Sequence, residues 1–597
     1  MSRFCFFICI VQFCASQLQI EIPNQGTIMG REVSKRRIQK INGYFGIPYA
    51  QPPLESLRFA PPRTDPLPAW DGVRNATEYY PACLQTEIDL KQSEIPFFRL
   101  LSDAKEEVNE DCLYLNVFTP QGTPPKNGFA TIVWFHPGNF TTGSPAMWNP
   151  HAIVYRQRVI VVTVAYRLNI MGFFTTMDGE ATGNYGLLDQ QASMMWVKNN
   201  IAKFGGNPDN ICLMGYGTGA TSIGMHMINA ESRQLFHKAI AMSGDFLGKN
   251  VVKYPEEDKS LVDRIAPIFA CDRKPTSKLI DCLRGAEALL LVEQTSNVDW
   301  RPLIDAGLSN ATNPFLSEHP MEFFDRGDFH KIPFLTGYTN MEQILEINLD
   351  SKDIADNITK ESLQQIFTEL ISNEIPQMND TDNPCMYNYD HLVDAIMFVY
   401  GPSVPIRTVQ EFKGIIAEFV TDKSYGSAAF LQASYMSKHQ PTYMYRFDMK
   451  PSTEAARKAL PDWVSVPHLY DLLYVWGVPY WNTDHDWDLR DKRISDTIMS
   501  FWTNFARSSD PTENSIYPIK WEALTKENPG ILIIDSTFNM SNGENLNYKG
   551  FEFWNDYYPK VFKLATQCCS VSDSGSQINF DNILLAVIFS LQILFKY

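Results

Sequence analysis

The stretch Ile211-Cys-Leu-Met-Gly-Tyr-Gly-Thr-Gly-Ala220 joins a short apolar run to three alternating glycines. The apolar run predicts a buried strand, and the glycines predict a sharp turn into a helix. This order of elements is the nucleophile elbow of the G-x-S-x-G pattern, whose outer glycines let strand and helix pack closely. Gly217 holds the central position, where the pattern has serine. In isolation the same residues also fit a glycine-rich strand-to-helix turn or a phosphate-binding loop.

Apolar runs on both sides of this turn predict further buried strands, and they alternate with longer helical patterns such as residues 190–204. This alternation predicts an α/β fold with a mostly parallel sheet between helices, and with functional loops at the carboxyl ends of the strands. Residues 17–565 contain no repeat or linker, so we expect one domain. The predicted strands are residues 130–135, 159–166, 210–215, 238–243, 334–338 and 442–448.

The bulk composition describes a large globular protein with an acidic surface. Of 597 residues, 44% are hydrophobic and 20% are charged, which suffices for an extensive core. The 51 Lys and Arg residues against 68 Asp and Glu residues give a net charge of −17. This charge repels phosphate backbones and anionic lipid surfaces, so nucleic acid is not an expected partner.

Both termini carry targeting patterns. Residues 1–16 contain Arg3, an apolar stretch and then small residues, which predicts a signal peptide. At the other end, small residues within a polar spacer (566–582) precede an apolar tail (583–597), which predicts a GPI-anchor signal and attachment to the extracellular face of the plasma membrane. The apolar part would form a helix of about 20 Å, short of the roughly 30 Å hydrocarbon core. A short transmembrane tail and an ordinary secreted tail are the alternatives.

Glycosylation sequons agree with passage through the secretory pathway. We expect glycans at five of the six N-x-[ST] sites, and the sixth, Asn139, lies in a loop discussed below. The five are Asn75, Asn310, Asn357, Asn379 and Asn539.

The blocks around the elbow identify a family. The chain resembles the type-B carboxylesterase and cholinesterase family over nearly its whole mature length, which implies the α/β-hydrolase fold. The block most similar to a family signature is Glu110-Asp-Cys-Leu-Tyr-Leu-Asn-Val117. Further matching blocks follow in the family's order: Gly43-Tyr-Phe-Gly-Ile-Pro-Tyr-Ala-Gln-Pro-Pro53, Tyr166-Arg-Leu168, Gly183-Asn-Tyr-Gly-Leu-Leu-Asp-Gln190 and Phe204-Gly-Gly-Asn-Pro208.

The resemblance places a catalytic triad. Its acid falls on Glu342, in Gly337-Tyr-Thr-Asn-Met-Glu342, and its base falls on His468, in His468-Leu-Tyr-Asp-Leu-Leu-Tyr-Val-Trp-Gly477. The nucleophile position is Gly217, which has no oxygen to attack a carbonyl and form an acyl-enzyme. We do not expect the neighbours Tyr216 and Thr218 to replace it. A water activated by His468 would leave only weak turnover, about 10³–10⁴-fold over water if the oxyanion hole survives.

The oxyanion loop has also changed. His136-Pro-Gly-Asn-Phe140 stands where the resemblance implies H-G-G-G-F, so the expected amide donors are those of Gly138, Asn139 and Thr218. Pro137 restricts the backbone, and we expect a misshapen hole. A glycan on Asn139 would cover the mouth of the site, whereas burial would leave Asn139 unmodified, and the unmodified state is our expectation.

The same resemblance implies two disulfides, Cys83 with Cys112 and Cys271 with Cys282, with Cys212 as a buried thiol. The first disulfide loop contains no tryptophan, so we do not expect the choline-binding site of cholinesterases. No metal or other cofactor is expected.

These features favour a catalytically inactive, cell-surface esterase-like glycoprotein that acts in recognition or adhesion, similar to the non-enzymatic cholinesterase-like adhesion molecules. The resemblance implies an extracellular protein partner and a homodimer formed through the C-terminal helices, near residues 500–508 and 551–562. One alternative is a carboxylic ester hydrolase with an unassigned nucleophile. The other is a small-ligand carrier that uses the hydrolase cavity.

Overall fold

A computed structural model describes residues 18–35, 39–86, 107–308, 314–347, 349, 358–372, 390–482, 484–513, 518–542 and 545–566. The predicted signal peptide, the apolar tail and nearly all of the polar spacer lie outside these residues. The sequons at Asn310, Asn357 and Asn379 lie outside them as well.

Sixteen strands occur in the described residues, and eleven of them form one sheet. The sheet order is β16-β15-β14-β13-β12-β11-β9-β10-β8-β4-β3, and the other strands form two small sheets, β1-β2-β5 and β6-β7. The strands are β1 (Gln19–Ile22), β2 (Gly26–Met29), β3 (Arg31–Lys35), β4 (Gln39–Pro48), β5 (Val73–Asn75), β6 (Ala82–Cys83), β7 (Val108–Asn109), β8 (Tyr114–Pro120), β9 (Phe129–Phe135), β10 (Ile160–Val164), β11 (Gly206–Tyr216), β12 (Lys238–Met242), β13 (Phe334–Thr339), β14 (Thr442–Phe447), β15 (Leu532–Ile534) and β16 (Asn539–Met540).

The centre of the large sheet is parallel. Strands β10, β9, β11, β12, β13, β14 and β15 pair in parallel in that spatial order, while β3, β4 and β8 at one edge and β16 at the other pair antiparallel. Each of the six strands predicted from apolar runs is present with shifted ends. The α/β-hydrolase architecture is therefore confirmed, and the carboxyl ends of β9, β11, β12 and β13 lie side by side.

Helices cover both faces of the sheet, so each central strand has two buried faces. Successive side chains of β9 enter different cores: Ile132 and Trp134 join one, whereas Val133 and Phe135 join the other. The α-helices are His151–Gln157, Asn169–Phe173, Tyr185–Asn200, Thr218–Ile228, Lys259–Ile268, Thr276–Gly285, Ala288–Gln294, Pro320–Asp325, Lys360–Ser372, Asp390–Tyr400, Val409–Thr421, Ser427–Met436, Glu454–Lys458, Leu472–Val475, Val478–Trp481, Leu489–Ser508, Tyr548–Glu552 and Tyr558–Thr566.

The helix predicted at residues 190–204 begins earlier than its apolar pattern indicates. The α-helix is Tyr185–Asn200, and a 3₁₀ turn, Ile201–Phe204, follows it. Its first turns contain polar residues, among them Asp189, that are buried here. Because buried polar residues interrupt the apolar periodicity, the sequence pattern placed the start of the helix too late.

A buried ion pair explains why Asp189 is buried, and it connects two of the sequence blocks that match the family. The side chains of Arg167 and Asp189 are only 3% and 0% exposed. Asp189 accepts hydrogen bonds from Arg167 Nη2 at 2.7 Å, from Nε at 2.8 Å and from the backbone N–H at 3.0 Å. The remaining guanidinium nitrogen donates to the Ala60 carbonyl at 2.8 Å. With this set of partners, both charges are compensated inside the core.

Both expected disulfides are present, Cys83–Cys112 and Cys271–Cys282, and Cys212 is a buried free thiol. Disulfides persist in oxidising compartments, so this pair fits the secretory pathway. Among the described helices, none combines the length and the apolar character needed to cross a membrane.

Candidate functional site

The elbow has the close packing that its glycines predict. Gly217 lies between the end of β11 and the helix Thr218–Ile228, with φ 52° and ψ −120°. A Cβ on Gly215 would lie 2.5 Å from the backbone of Gly219, and a Cβ on Gly219 would lie 2.1 Å from the carbonyl oxygen of Phe135. Only glycine avoids these collisions, because strand and helix approach each other so closely. The turn therefore keeps its shape without the central serine.

Packing does not exclude a side chain at Gly217 itself. A Cβ built there would lie 3.7 Å from Pro137 Cβ and 3.9 Å from His468 Nε2, both ordinary van der Waals distances. A hydroxyl oxygen one bond further would come within hydrogen-bonding reach of Nε2. The backbone conformation opposes any side chain by about 1–3 kcal/mol, because positive φ with this ψ is unfavourable outside glycine.

Glu342 and His468 meet as the family resemblance implies. Glu342 follows β13, is fully buried, and accepts a short hydrogen bond from His468 Nδ1 on Oε2. Its Oε1 accepts from Ser243 Oγ at 2.6 Å and from the Thr339 N–H at 2.8 Å. The Glu342 backbone N–H donates to Thr421 Oγ1 at 3.0 Å. These contacts fix the carboxylate, which in turn orients the imidazole with Nε2 toward Gly217.

Two tyrosine rings hold the imidazole from its sides. The ring centroids of Tyr216 and Tyr425 lie 4.8 Å and 5.3 Å from that of His468. The Tyr216 hydroxyl also accepts a hydrogen bond from the Leu469 N–H at 2.7 Å. Tyr216, the residue before the nucleophile position, therefore positions the loop that carries the base.

Electrostatics around His468 favour its protonated form. Burial lowers the pKa of His468, but the charge and hydrogen bond of Glu342 raise it, with smaller contributions from Asp471 and Glu346. The balance places the pKa of His468 above its usual value of 6.5. When the imidazole is protonated, both ring nitrogens are hydrogen-bond donors.

Two residues of the site were missed by sequence reasoning. Ser243, at the end of β12, binds Glu342, and only its place after a buried strand could have indicated it. Asp471 is buried three residues after His468 and accepts a hydrogen bond from the Tyr445 hydroxyl at 3.0 Å. Burial and the nearby Glu342 charge raise the pKa of Asp471 to about 7.

The oxyanion loop lies against the elbow, as the 3.7 Å approach of Pro137 indicates. Its Gly138 carbonyl accepts from the N–H groups of Thr141 and Thr142 at 2.9 Å and 2.8 Å. Within the described part of the chain, the N–H groups of Gly138 and Asn139 have no hydrogen-bond acceptor. Asn139 is exposed, so the expectation that burial protects it from glycosylation is wrong. Its φ of 52° suits asparagine, which tolerates the left-handed region at the tip of a loop.

Five non-glycine residues at or next to the site have positive φ. Each such conformation costs about 1–3 kcal/mol and persists only where the surrounding structure holds it. The residues are Asn139 (52°), Phe140 (58°), Ser243 (43°), Gln343 (52°) and Leu469 (74°). Residues 343–346 and 467–469 line a small depression beside His468. The structure therefore brings the predicted acid and base together beside Gly217, which has no side chain.

Comparison with known proteins agrees with this geometry. A family model described as the carboxylesterase family matches residues 16–554. The chain is 30% identical over 481 residues to a mouse (Mus musculus) acylcarnitine hydrolase, covering 80% of each chain. It is 29% identical over 558 residues to a liver carboxylesterase of Sus scrofa, covering 90% of this chain and 92% of the relative. It is 27% identical to a medium-chain fatty acyl-CoA hydrolase precursor of Anas platyrhynchos, covering 89% and 91%.

Proposed function

This chain belongs to the carboxylesterase family, and from that premise we propose that it has lost serine-dependent ester hydrolysis and acts as an extracellular recognition protein. The observation that carries the proposal is Gly217, at the elbow position whose side chain would face His468 Nε2. Acyl transfer through a triad begins with attack by a side-chain oxygen, and glycine has none. The pair formed by Glu342 and His468 therefore has no hydroxyl to activate.

Three hydroxyl groups in the surroundings of this pair are poor substitutes for the missing serine. Ser243 Oγ is buried and donates to Glu342. Tyr216 is buried, its oxygen accepts the Leu469 N–H, and burial raises the pKa of its hydroxyl well above 10. Thr218 Oγ1 is buried and has no hydrogen-bond partner in the described part of the chain, His468 included. These contacts argue against the alternative of an ester hydrolase with a different nucleophile.

Fluorophosphonate labelling of the purified protein tests the proposal. We expect no stoichiometric adduct by intact-mass spectrometry under conditions that label an active serine carboxylesterase completely, because the reagent requires an activated oxygen. Stoichiometric labelling would overturn the proposal, and peptide mapping of the adduct would identify the nucleophile. Hydrolysis of a p-nitrophenyl ester, measured on the same sample, bounds any turnover through a water activated by His468.

A homodimer contact is supported by exposed apolar side chains on one pair of helices. Phe398 is 91% exposed on the helix Asp390–Tyr400, which packs against the helix Tyr558–Thr566. On and beside the second helix, Leu564 is 72% exposed and Tyr557 is 56% exposed. These large apolar side chains are exposed on two helices that pack together, and such side chains suit a protein contact. We propose this helix pair as the homodimer surface, so that an extracellular partner would bind elsewhere on the protein.

The dimer contact predicted for residues 500–508 could involve only the polar side chains of that segment. In this segment, the C-terminal half of the helix Leu489–Ser508, the large apolar side chains face the core: Phe501, Trp502 and Phe505 are fully buried. They are not available for a dimer contact. The apolar part of the proposed surface is therefore formed by Phe398, Tyr557 and Leu564.

We also propose attachment to the outer face of the plasma membrane through a GPI anchor near residues 566–582, supported by the small, polar and apolar order of the C-terminal sequence. One experiment tests the anchor and the dimer together. Phosphatidylinositol-specific phospholipase C is expected to release the protein from intact cells, and light scattering of the released protein is expected to give twice the monomer mass. Retention on the cells contradicts the anchor, and a monomer mass contradicts the dimer.

A further inference from the structure

The sequon Asn139-Phe-Thr141 lies on the oxyanion loop, and the proposed function does not use it. Asn139 is exposed, whereas Pro137 and Gly138 before it are half-buried and Phe140 after it is buried. The side-chain amide of Asn139 makes no hydrogen bond to any other residue that the structure describes. An asparagine that carries a glycan must face solvent in the folded protein, because the sugar is bulky. Asn139 meets this requirement.

The residues around Asn139 are fixed by contacts that do not involve its side chain. Phe140 is only 3% exposed, and its carbonyl accepts a hydrogen bond from the Asn169 N–H at 2.7 Å. At the end of the loop, the Gly143 N–H donates to Gln85 Oε1 and the Gly143 carbonyl accepts from Gln85 Nε2, both at 2.9 Å. A glycan on Asn139 would therefore extend from a fixed point and would break none of these contacts.

The same loop borders the elbow. The Cβ of Pro137 lies 3.7 Å from the place of a Cβ on Gly217. Since consecutive Cα atoms are about 3.8 Å apart, the Cα of Asn139 lies within roughly 8 Å of that of Pro137. Gly217 is half-buried and the side chain of His468 is 20% exposed, so solvent reaches the elbow. A group attached to Asn139 therefore stands beside a site that the described residues leave partly open.

We propose that Asn139 carries an N-linked oligosaccharide, and that this glycan screens Gly217 and His468 from large molecules while small reagents still pass. In the attachment step, Asn139 Nδ2 attacks the anomeric carbon of an oligosaccharide carried on a lipid pyrophosphate. A carbon–nitrogen bond forms, the carbon–oxygen bond to the phosphate breaks, Nδ2 loses one proton and the lipid pyrophosphate leaves. The two disulfides fit the secretory pathway, where the chain would meet this donor.

A glycan at this place is compatible with a chain that has no nucleophile. The family resemblance implies glycine at residue 139, which cannot carry a glycan, so the sequon is a departure of this chain from the family pattern. In a working esterase the sugar would hinder the approach of large esters, whereas Gly217 leaves no such reaction to hinder. This compatibility rests on the proposed loss of hydrolysis, but the attachment of the glycan does not.

Mass spectrometry of the full-length protein, expressed in eukaryotic cells, tests the attachment. After release of the glycans by a peptide N-glycosidase in water enriched in heavy oxygen, we expect residue 139 as labelled aspartate in most copies. Thr141→Ala removes the sequon but keeps Asn139, and it should lower the intact mass by one glycan. Thr141→Ser is the matched control, because it keeps both the sequon and the hydroxyl that donates to the Gly138 carbonyl at 3.2 Å. Unlabelled asparagine at residue 139, or equal glycan mass in the two variants, overturns the proposal.

Gly217→Cys tests the screening, because its Cβ would stand 3.9 Å from His468 Nε2. We would combine it with Thr141→Ala or Thr141→Ser and follow the reaction of residue 217 by peptide mapping. A polymer-linked maleimide should react roughly tenfold faster with the Thr141→Ala protein, because the bulky glycan is absent, whereas iodoacetamide should react almost equally with both. Equal rates with the polymer-linked maleimide overturn the screening, even where Asn139 is glycosylated. Fluorophosphonate labelling of the natural chain tests the proposed loss of hydrolysis separately.

Discussion

Gly217→Ser is expected to convert this protein into a serine esterase that reacts with fluorophosphonates. The new Cβ would stand 3.9 Å from His468 Nε2, and Glu342 already holds the imidazole through Nδ1. In a subtilisin, loss of the serine costs about 2 × 10⁶ in kcat. Loss of one oxyanion donor costs about 10²–10³ in kcat, and we assign a loss of this size to the changed loop at Pro137. The expected gain in p-nitrophenyl ester hydrolysis over the natural chain is therefore roughly 10³–10⁴-fold.

Gly217→Ala is the matched control for this prediction. Alanine adds the same Cβ in the same backbone conformation, φ 52° and ψ −120°, but no hydroxyl. Both variants should lose about 1–3 kcal/mol in the free energy of unfolding, measured in urea, and only the serine variant should gain activity. A folded Gly217→Ser protein that stays inactive would contradict the expected gain in ester hydrolysis. Addition of Pro137→Gly and Asn139→Gly would then show whether the loop is responsible.

Asp189→Ala is expected to lower the free energy of unfolding by about 3–5 kcal/mol, the cost of leaving a buried charge without its partner. Arg167 would keep only its hydrogen bond to Ala60, with its side chain 3% exposed. The start of the helix Tyr185–Asn200 would lose its contact with the turn after β10. Urea unfolding monitored by tryptophan fluorescence measures the difference.

The control for this prediction is Asp209→Ala, which removes the carboxylate of an ion pair with Lys198 whose Asp209 side chain is 81% exposed. An exposed pair contributes about 0–1 kcal/mol, so this variant should unfold almost as the natural chain does. Similar losses in the free energy of unfolding for Asp189→Ala and Asp209→Ala would contradict the argument that burial makes the Arg167–Asp189 pair the more important one. Asp189→Leu, which replaces the carboxylate by an apolar side chain of similar volume, should still be destabilised while Arg167 keeps its charge.

The sequence alone predicted the features that depend on patterns of neighbouring residues. The apolar runs placed strands β9 to β14, because a parallel sheet covered on both faces requires continuous apolar strands. Gly215 and Gly219 predicted the position of the elbow. Strand and helix approach each other so closely there that a Cβ on either glycine would lie less than 3 Å from another backbone atom. The helix at residues 190–204 was predicted with the wrong start, since Asp189 is buried by a partner that lies 22 positions away in sequence.

The sequence by itself therefore determined the fold class and the glycine at elbow position 217, which follow from residue identity and from patterns that are local along the chain. The positions of Glu342 and His468 were implied by the resemblance of the sequence to the family. Tertiary structure alone decided that Ser243, Tyr216 and Asp471 surround the base, that Asn139 is exposed, and that the space above Gly217 remains open beside His468 Nε2. These features share one physical reason, which is that their contacts join residues far apart in the chain. The residues belong to β9, β11, β12, β13 and the segment after residue 466, and only the packed sheet brings these strand ends together.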